Sequence, residues 1–231
     1  MKIVCNGCSF TAAEHLYIKG RKWGHVADEI DDLLKRGIVF ENPLKRTGDI
    51  SAKTGRGWSY WLGNRGKNIE TVNIGAGGGG NDRIFRTTVD YISQHGADAV
   101  AIQWSAANRW EYECSDTGDW VKINANSAQG GSARRTKDYL KWIDLTNMRY
   151  TPEFGKYRNY RNELALKQFC AERDIPIFFW IPSNFYLPNE WHESPRVIDF
   201  NTTDPHDGIH PDELAYKRIA KIINDEWAKH L

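Results

Sequence analysis

The strongest constraint on this chain is a rhythm. Four short apolar runs, at residues 2–5, 70–74, 99–104 and 176–181, are β-branched or aromatic, and each stops at small or polar loop residues. A fifth, weaker run covers residues 196–200. Helical spacing fills the intervals. Residues 81–94 open on Asn81 as a cap and place Ile84, Phe85, Thr88, Val89 and Ile92 on one face. Residues 157–173 carry Tyr160, Leu164, Ala165 and Phe169 at helical spacing. Residues 211–229 begin with Pro211 at the first helical position and Asp212 and Glu213 in the first turn. Leu214, Ala215, Ile219, Ile222, Ile223 and Trp227 form their stripe. Short strands alternating with helices require an α/β fold, a parallel sheet covered on both faces.

A chain of 231 residues fits one domain, 1–231, large enough to fold without disulfides or a structural metal. Two stretches exceed a minimal α/β unit. Residues 12–56 contain a helical segment (25–36) and a loop rich in Gly, Lys and Arg, and residues 113–156 are polar. Both follow strand ends, where α/β proteins place functional loops, so both read as insertions around a site. Lys plus Arg number 31 against 30 Asp plus Glu, a balance that argues against non-specific nucleic-acid binding. No apolar run approaches the ~18–20 residues of a membrane span, and the N-terminus has no signal-peptide pattern. The expectation is a soluble protein, cytoplasmic or virion-associated, with no membrane partner; nothing in the sequence sets an oligomeric state. Cys5 and Cys8 form a C-x-x-C with no second pair to complete a zinc site. They read as a buried strand end and a small loop residue before they read as a redox pair.

Polar clusters follow three of the strands: Asn6-Gly7-Cys8-Ser9-Phe10-Thr11, the glycine run from Asn73 to Asp82, and Ser105-Ala106-Ala107-Asn108-Arg109-Trp110-Glu111. A fourth, His206-Asp207-Gly208-Ile209-His210-Pro211, leads into the last helix. The carboxyl ends of parallel strands share one edge, so the first three should converge. Singly each is weak: a lone serine is more often a helix cap, and a lone asparagine a turn residue. Together and in this order they resemble the SGNH (GDSL-type) hydrolase family, in which four short blocks carry a Ser, a Gly, an Asn and a His. The blocks, notably the NGCSFT start and the GGND turn, are also similar to SGNH proteins carried by bacteriophages.

The resemblance implies a flavodoxin-like three-layer α/β/α fold with a parallel sheet of about five strands. It implies a Ser-His-Asp hydrolase of esters that needs no metal and no cofactor. Gly7-Cys8-Ser9 matches the first block, with Ser9 as nucleophile. The second block's glycine falls best on Gly78, with Gly77 and Gly79 as alternatives. Ala106-Ala107-Asn108 matches the third block, with Asn108 as an oxyanion donor. Asp207-Gly208-Ile209-His210 matches the last, with His210 as base and Asp207 as its carboxylate. Cys8 stands where the family has Asp, and Ala106 where it has Gly.

The chemistry of these residue types agrees with that assignment. A serine hydroxyl needs a base to take its proton as it attacks, and an imidazole titrating near pH ~6.5 can do so at neutral pH. A carboxylate fixes the tautomer and stabilises the imidazolium. His210 at the N-cap of the last helix would be held neutral by the dipole until Asp207 offsets it. Backbone N–H groups of Ser9 and Gly78 with the Asn108 side chain would make a three-donor oxyanion hole.

Other readings compete. Gly75-x-Gly77-x-x-Gly80 matches a dinucleotide fingerprint, but the following strand ends Ile102-Gln103-Trp104 without the acidic residue that fingerprint needs. His206, Asp207 and His210 could ligate a metal, although Gly208 and Pro211 make this segment a turn. Cys8 could replace Ser9 as nucleophile. A non-catalytic carbohydrate- or ligand-binding module could keep the fold, but such a module has no need for Ser9, Asn108, Asp207 and His210 together. The family resemblance implies an acyl ester as substrate. The polar, Trp-bearing insertions favour an acetylated carbohydrate over a lipid, with Trp110 and Tyr112 on loops as sugar-stacking surfaces. Arg109 is a candidate to hold an anionic group, or else pairs with Glu111 or Glu113. The chain has 10 Trp; Trp104, Trp180 and Trp227 are expected in the core.

Overall fold

The computed structural model describes residues 1–8, 11, 57–63, 69–113, 120–124, 150–183, 186, 188, 191, 196–199 and 211–227. Its elements, in order, are β1 (Lys2–Asn6), α1 (Trp58–Gly63), β2 (Glu70–Asn73), α2 (Asn81–His95), β3 (Ala99–Gln103), β4 (Arg109–Glu113), β5 (Trp120–Asn124), α3 (Pro152–Ala171), β6 (Ile177–Pro182), β7 (Arg196–Ile198) and α4 (Glu213–Trp227). Five strands form one parallel sheet in the order β2-β1-β3-β6-β7. Counting only sheet strands, this is the flavodoxin-like order 2-1-3-4-5, with its crossover beside β1 and β3. The expected fold class is the observed one. The helical reading of residues 25–36 lies outside the described residues.

Successive side chains in a strand point to opposite faces, and here they separate the core into two layers. Ile3 and Cys5 of β1, Ala99 and Ala101 of β3 and Trp180 of β6 face α1 and α4, where they meet Trp58, Leu62, Tyr216, Ile219, Ile223 and Trp227. Val4, Val100, Ile102 and Ile181 face the other way, towards Ile84 and Ile92 of α2 and Leu166 and Cys170 of α3. Trp104, Trp180 and Trp227 are buried, as expected. Among the described residues no helix is long and apolar enough to cross a membrane.

Four local expectations need correction. The cap of α2 is Gly80, not Asn81; Asn81 is the first helical residue, and its side chain turns inward to bond elsewhere. The 157–173 helix starts at Pro152, behind Thr151, whose hydroxyl accepts the Phe154 N–H at 3.2 Å. Threonine followed by proline is a helix-start signal, but it lay inside the segment read as an insertion. The buried face of α3 is Arg158, Asn159, Asn162, Glu163, Leu166 and Cys170, while Leu164 is half exposed. The last helix starts at Glu213, and Asp212 caps it by accepting the Ala215 N–H at 2.8 Å. Pro211 is therefore not in its first turn, and the N-cap place proposed for His210 belongs to Asp212. Leu214 of the expected stripe is half exposed.

Trp110 and Tyr112 are not on loops either. β4 and β5 pair as an antiparallel hairpin, with Trp110 opposite Ile123 and Tyr112 opposite Val121. The alternation Arg109-Trp110-Glu111-Tyr112-Glu113 was a readable strand signal.

Candidate active site

The carboxyl edge of the sheet is held together by side-chain amides. β1 ends at Asn6, whose Oδ1 accepts the Gly7 N–H at 2.8 Å and whose Nδ2 reaches Ile84 O, Thr87 Oγ1 and Thr88 Oγ1 on α2 at 2.8 to 3.0 Å. β3 ends at Gln103, fully buried. Its Oε1 accepts from Thr11 Oγ1 at 2.9 Å and the Cys8 N–H at 3.3 Å, and its Nε2 donates to the Trp104 carbonyl at 2.6 Å. Thr11 Oγ1 also accepts the Trp58 indole N–H at 3.3 Å. β2 ends at Asn73, which donates to the Thr11 carbonyl at 2.7 Å and accepts the Gly75 N–H at 3.0 Å. Cys8 and Thr11, joined by a backbone bond of 3.0 Å, are thus fixed from three strands. They bracket Ser9 and Phe10, which lie outside the described residues, as do Asp207 and His210.

These bonds bring three of the four sequence blocks to one edge. The Ala76 N–H donates to the Gly7 carbonyl at 3.1 Å, joining the second block to the first. Gln103 joins the third strand to the first block. Asn81 joins the second block to the third by bonding both backbone groups of Ser105. The glycine run serves distinct local needs. Gly78 has φ 70°, the left-handed region where a side chain is strained, whereas neither Gly77 nor Gly79 does. At Gly80 an added Cβ would lie 2.6 Å from the Arg109 carbonyl oxygen, so only glycine lets the α2 start and the third block touch.

Among the asparagines of this edge, one differs. The carboxamides of Asn6, Asn73 and Asn81 are committed to hydrogen bonds, as are those of Asn159 and Asn162 behind them. Asn108, half buried in the turn between β3 and β4, makes no side-chain hydrogen bond among the described residues. Its turn is closed by the Arg109 N–H donating to the Ala106 carbonyl at 3.3 Å.

The flanking residues are tied down. Arg109 donates to Ser105 Oγ at 2.9 Å. Arg86 grips Glu111 through two bonds of 3.1 and 3.2 Å. The Trp110 ring stacks on Phe154 at 5.2 Å, and the Arg158 guanidinium lies over it at 3.7 Å. Arg158 also pairs with Asp82, which Arg161 and Asn162 approach at 3.5 and 2.9 Å. Burial, and secondarily Arg161, pulls the Arg158 guanidinium down to about 10, so it stays charged at neutral pH. Tyr112 is placed by its backbone in β4. Cys8 is buried with its Sγ 3.2 Å from Gln103 Nε2. Burial pushes the Cys5 thiol well above its ordinary range.

Residues 43–171 match the profile of a family described as a family of unknown function, DUF6071. The chain belongs to that family. No curated protein matches it. Among solved structures, this DUF6071 member is similar to a protein described as a lipolytic member of the G-D-S-L family from Desulfitobacterium hafniense DCB-2. The identity is 11%, coverage is 97% of this chain and 98% of that chain, and the TM-score is 0.50. The psychrotrophic esterase EstA from Pseudoalteromonas sp. aligns at 13% identity over 99% of this chain and 97% of that one, with a TM-score of 0.43. At these identities the likeness concerns the fold, which the DUF6071 chain shares with SGNH hydrolase structures.

Proposed function

We propose that this protein is a serine esterase of the SGNH type that removes an acyl group, most simply acetyl, from a carbohydrate ester. The observation that carries the reading is the uncommitted carboxamide of Asn108 at an edge where every neighbouring asparagine is bound. An oxyanion donor must be fixed by its backbone yet free at its side chain.

In this reading Ser9 attacks the ester carbonyl while His210 takes its proton and Asp207 stabilises the imidazolium. The N–H groups of Ser9 and Gly78 and the Asn108 carboxamide receive the oxyanion. Collapse expels the alcohol, protonated by His210, and water then hydrolyses the acyl-serine by the same route. Arg109 would meet an anionic substituent. Trp110, with Arg158 over its ring, and Tyr112 would border the sugar.

The deciding experiment is fluorophosphonate labelling with mass mapping. The label is expected on Ser9, and Ser9→Ala should abolish p-nitrophenyl acetate hydrolysis with the unfolding temperature unchanged. No label at pH 8 would overturn the esterase and leave a binding module on this fold. A panel of acetylated sugars then reads the alcohol specificity.

A further inference from the structure

We infer that Asn81 is a positioning residue: its buried carboxamide sets the loop that presents Asn108, and it acts on catalysis only through Asn108. The inference rests on the esterase reading above. Asn81 is the first residue of α2 and only 3% exposed. Its Oδ1 accepts the Ser105 N–H at 2.8 Å, and its Nδ2 donates to the Ser105 carbonyl at 3.0 Å. One side chain thus satisfies both backbone groups of the residue where β3 has stopped and strand pairing no longer can. The remaining Nδ2 proton goes to Asn159 Oδ1 at 2.8 Å. A carboxamide has two donors on nitrogen and none on oxygen, so these three partners leave it a single orientation.

The same loop packs closely at its other end. The Arg109 backbone lies so near Gly80 that a Cβ there would come within 2.6 Å of its carbonyl oxygen. Asn81 therefore holds residue 105, the bare backbone of Gly80 lets residue 109 pack against the start of α2, and Asn108 lies between the two contacts. Arg158 reaches the Ala107 carbonyl at 3.5 Å from α3. Oxyanion donors work at about 2.7–3.1 Å from the developing charge, and a misplacement of about 1 Å can cost ~10²-fold in rate. Releasing Ser105 should therefore fall on turnover and spare substrate binding.

The test is a double-mutant cycle in kcat and KM for p-nitrophenyl acetate, run with amide hydrogen exchange. Asn81→Ala is expected to lower kcat ~10–100-fold with KM within ~3-fold. In an Asn108→Ala background the same change should add less than ~3-fold, because residues acting through one another are not additive. An equal fall in both backgrounds would make Asn81 a general structural residue and overturn the inference. Exchange at residues 106–109 should quicken in Asn81→Ala, while the interior of α2 keeps its protection; unchanged exchange there also overturns it. Should Asn81→Ala fail to fold, Asn159→Ala removes one partner of the carboxamide and should give a smaller kcat loss with the same background dependence. If the wild-type protein takes no fluorophosphonate label, the esterase reading fails and the catalytic half of the inference with it. The exchange comparison then separately decides whether Asn81 sets the loop.

Discussion

At the scale of single residues, the edge divides polar side chains bonded within the structure from Asn108, whose carboxamide makes no hydrogen bond among the described residues. Gln103 is of the first kind. Its amide sits between Cys8, Thr11 and the Trp104 carbonyl, so Gln103→Leu keeps roughly the volume but takes a partner from a buried N–H, a hydroxyl and a carbonyl. Each unmet group costs about 1–3 kcal/mol, and the urea midpoint should fall accordingly, with slower labelling of Ser9. Asn108 is of the second kind. Asn108→Ala should leave the urea midpoint in place and lower kcat by ~10²–10³-fold, as loss of one oxyanion donor does; a loss of stability without a loss of turnover would count against its role. The sequence marked Asn108 through its block but passed over Gln103, noted only for not being acidic. Yet a glutamine closing the apolar run Ala99-Val100-Ala101-Ile102 is itself a signal, because a polar group buried in a central strand needs partners. Ser9, Asp207 and His210 stand on the sequence pattern alone.

At the scale of elements, the strands of the parallel sheet are legible, the β4–β5 hairpin is read as loop, and the third helix is read without its first turn and with the wrong buried face. Strand runs showed because a parallel sheet buries both faces, so the whole segment turns apolar. α3 was misread because periodicity arguments look for an apolar stripe, and the first turns of this helix bury a polar one. Arg158, Asn159 and Asn162 meet Asp82 and Asn81 of α2, and Arg158 spreads over Trp110 of β4. One guanidinium therefore links two helices and the hairpin. Removing one partner of a buried ion pair costs about 3–5 kcal/mol. Asp82 is partly exposed and keeps Arg161 near, so Arg158→Ala should fall at or below the low end, near ~2–3 kcal/mol in a denaturant titration. Arg158→Lys should recover little of it, since an ammonium cannot both stack on the ring and reach Asp82 with a planar fork. Full recovery by lysine would mean that charge alone matters. The pH dependence has a definite sign. The folded-state value lies below the ordinary guanidinium value, so the unfolded chain binds more protons between the two. This group's contribution therefore makes stability rise with pH through about 10, a trend that Arg158→Ala should lose.

At the scale of the whole molecule, aromatic rings enter both core layers, but the central strands meet them with side chains of different size. Towards α1 and α4 the central strands β1 and β3 offer Ile3, Cys5, Ala99 and Ala101, and beside the small ones Trp58 and Trp180 meet edge to face at 5.8 Å, with Tyr216 and Trp227 in the same cluster. Towards α2 and α3 the same strands offer the larger Val4, Val100 and Ile102, whose buried neighbours are mostly aliphatic but include Trp104 and Trp191, with Phe85, Phe169 and Phe179 packed against them. Alternation along a strand could be read from the sequence, but which face takes the small residues depends on which helices cover it, and that is a property of the assembled sheet. The asymmetry makes a counter-intuitive demand. Ala101→Leu adds apolar surface to a fully buried site, which transfer energies alone would call stabilising. Cys5 and Phe178 flank Ala101 in register, and it is fully buried in the cluster that holds Trp58, Trp180 and Tyr216. Overpacking of this kind costs about 1–3 kcal/mol. Ile102→Leu, one residue on but facing the other layer, should cost less than about 1.5 kcal/mol because it conserves volume. Guanidinium unfolding of the two variants compares the layers directly. If Ala101→Leu proved neutral or stabilising, the layer towards α1 and α4 would have to contain free volume, and the large aromatic side chains would not be what fixes the spacing between the sheet and α4.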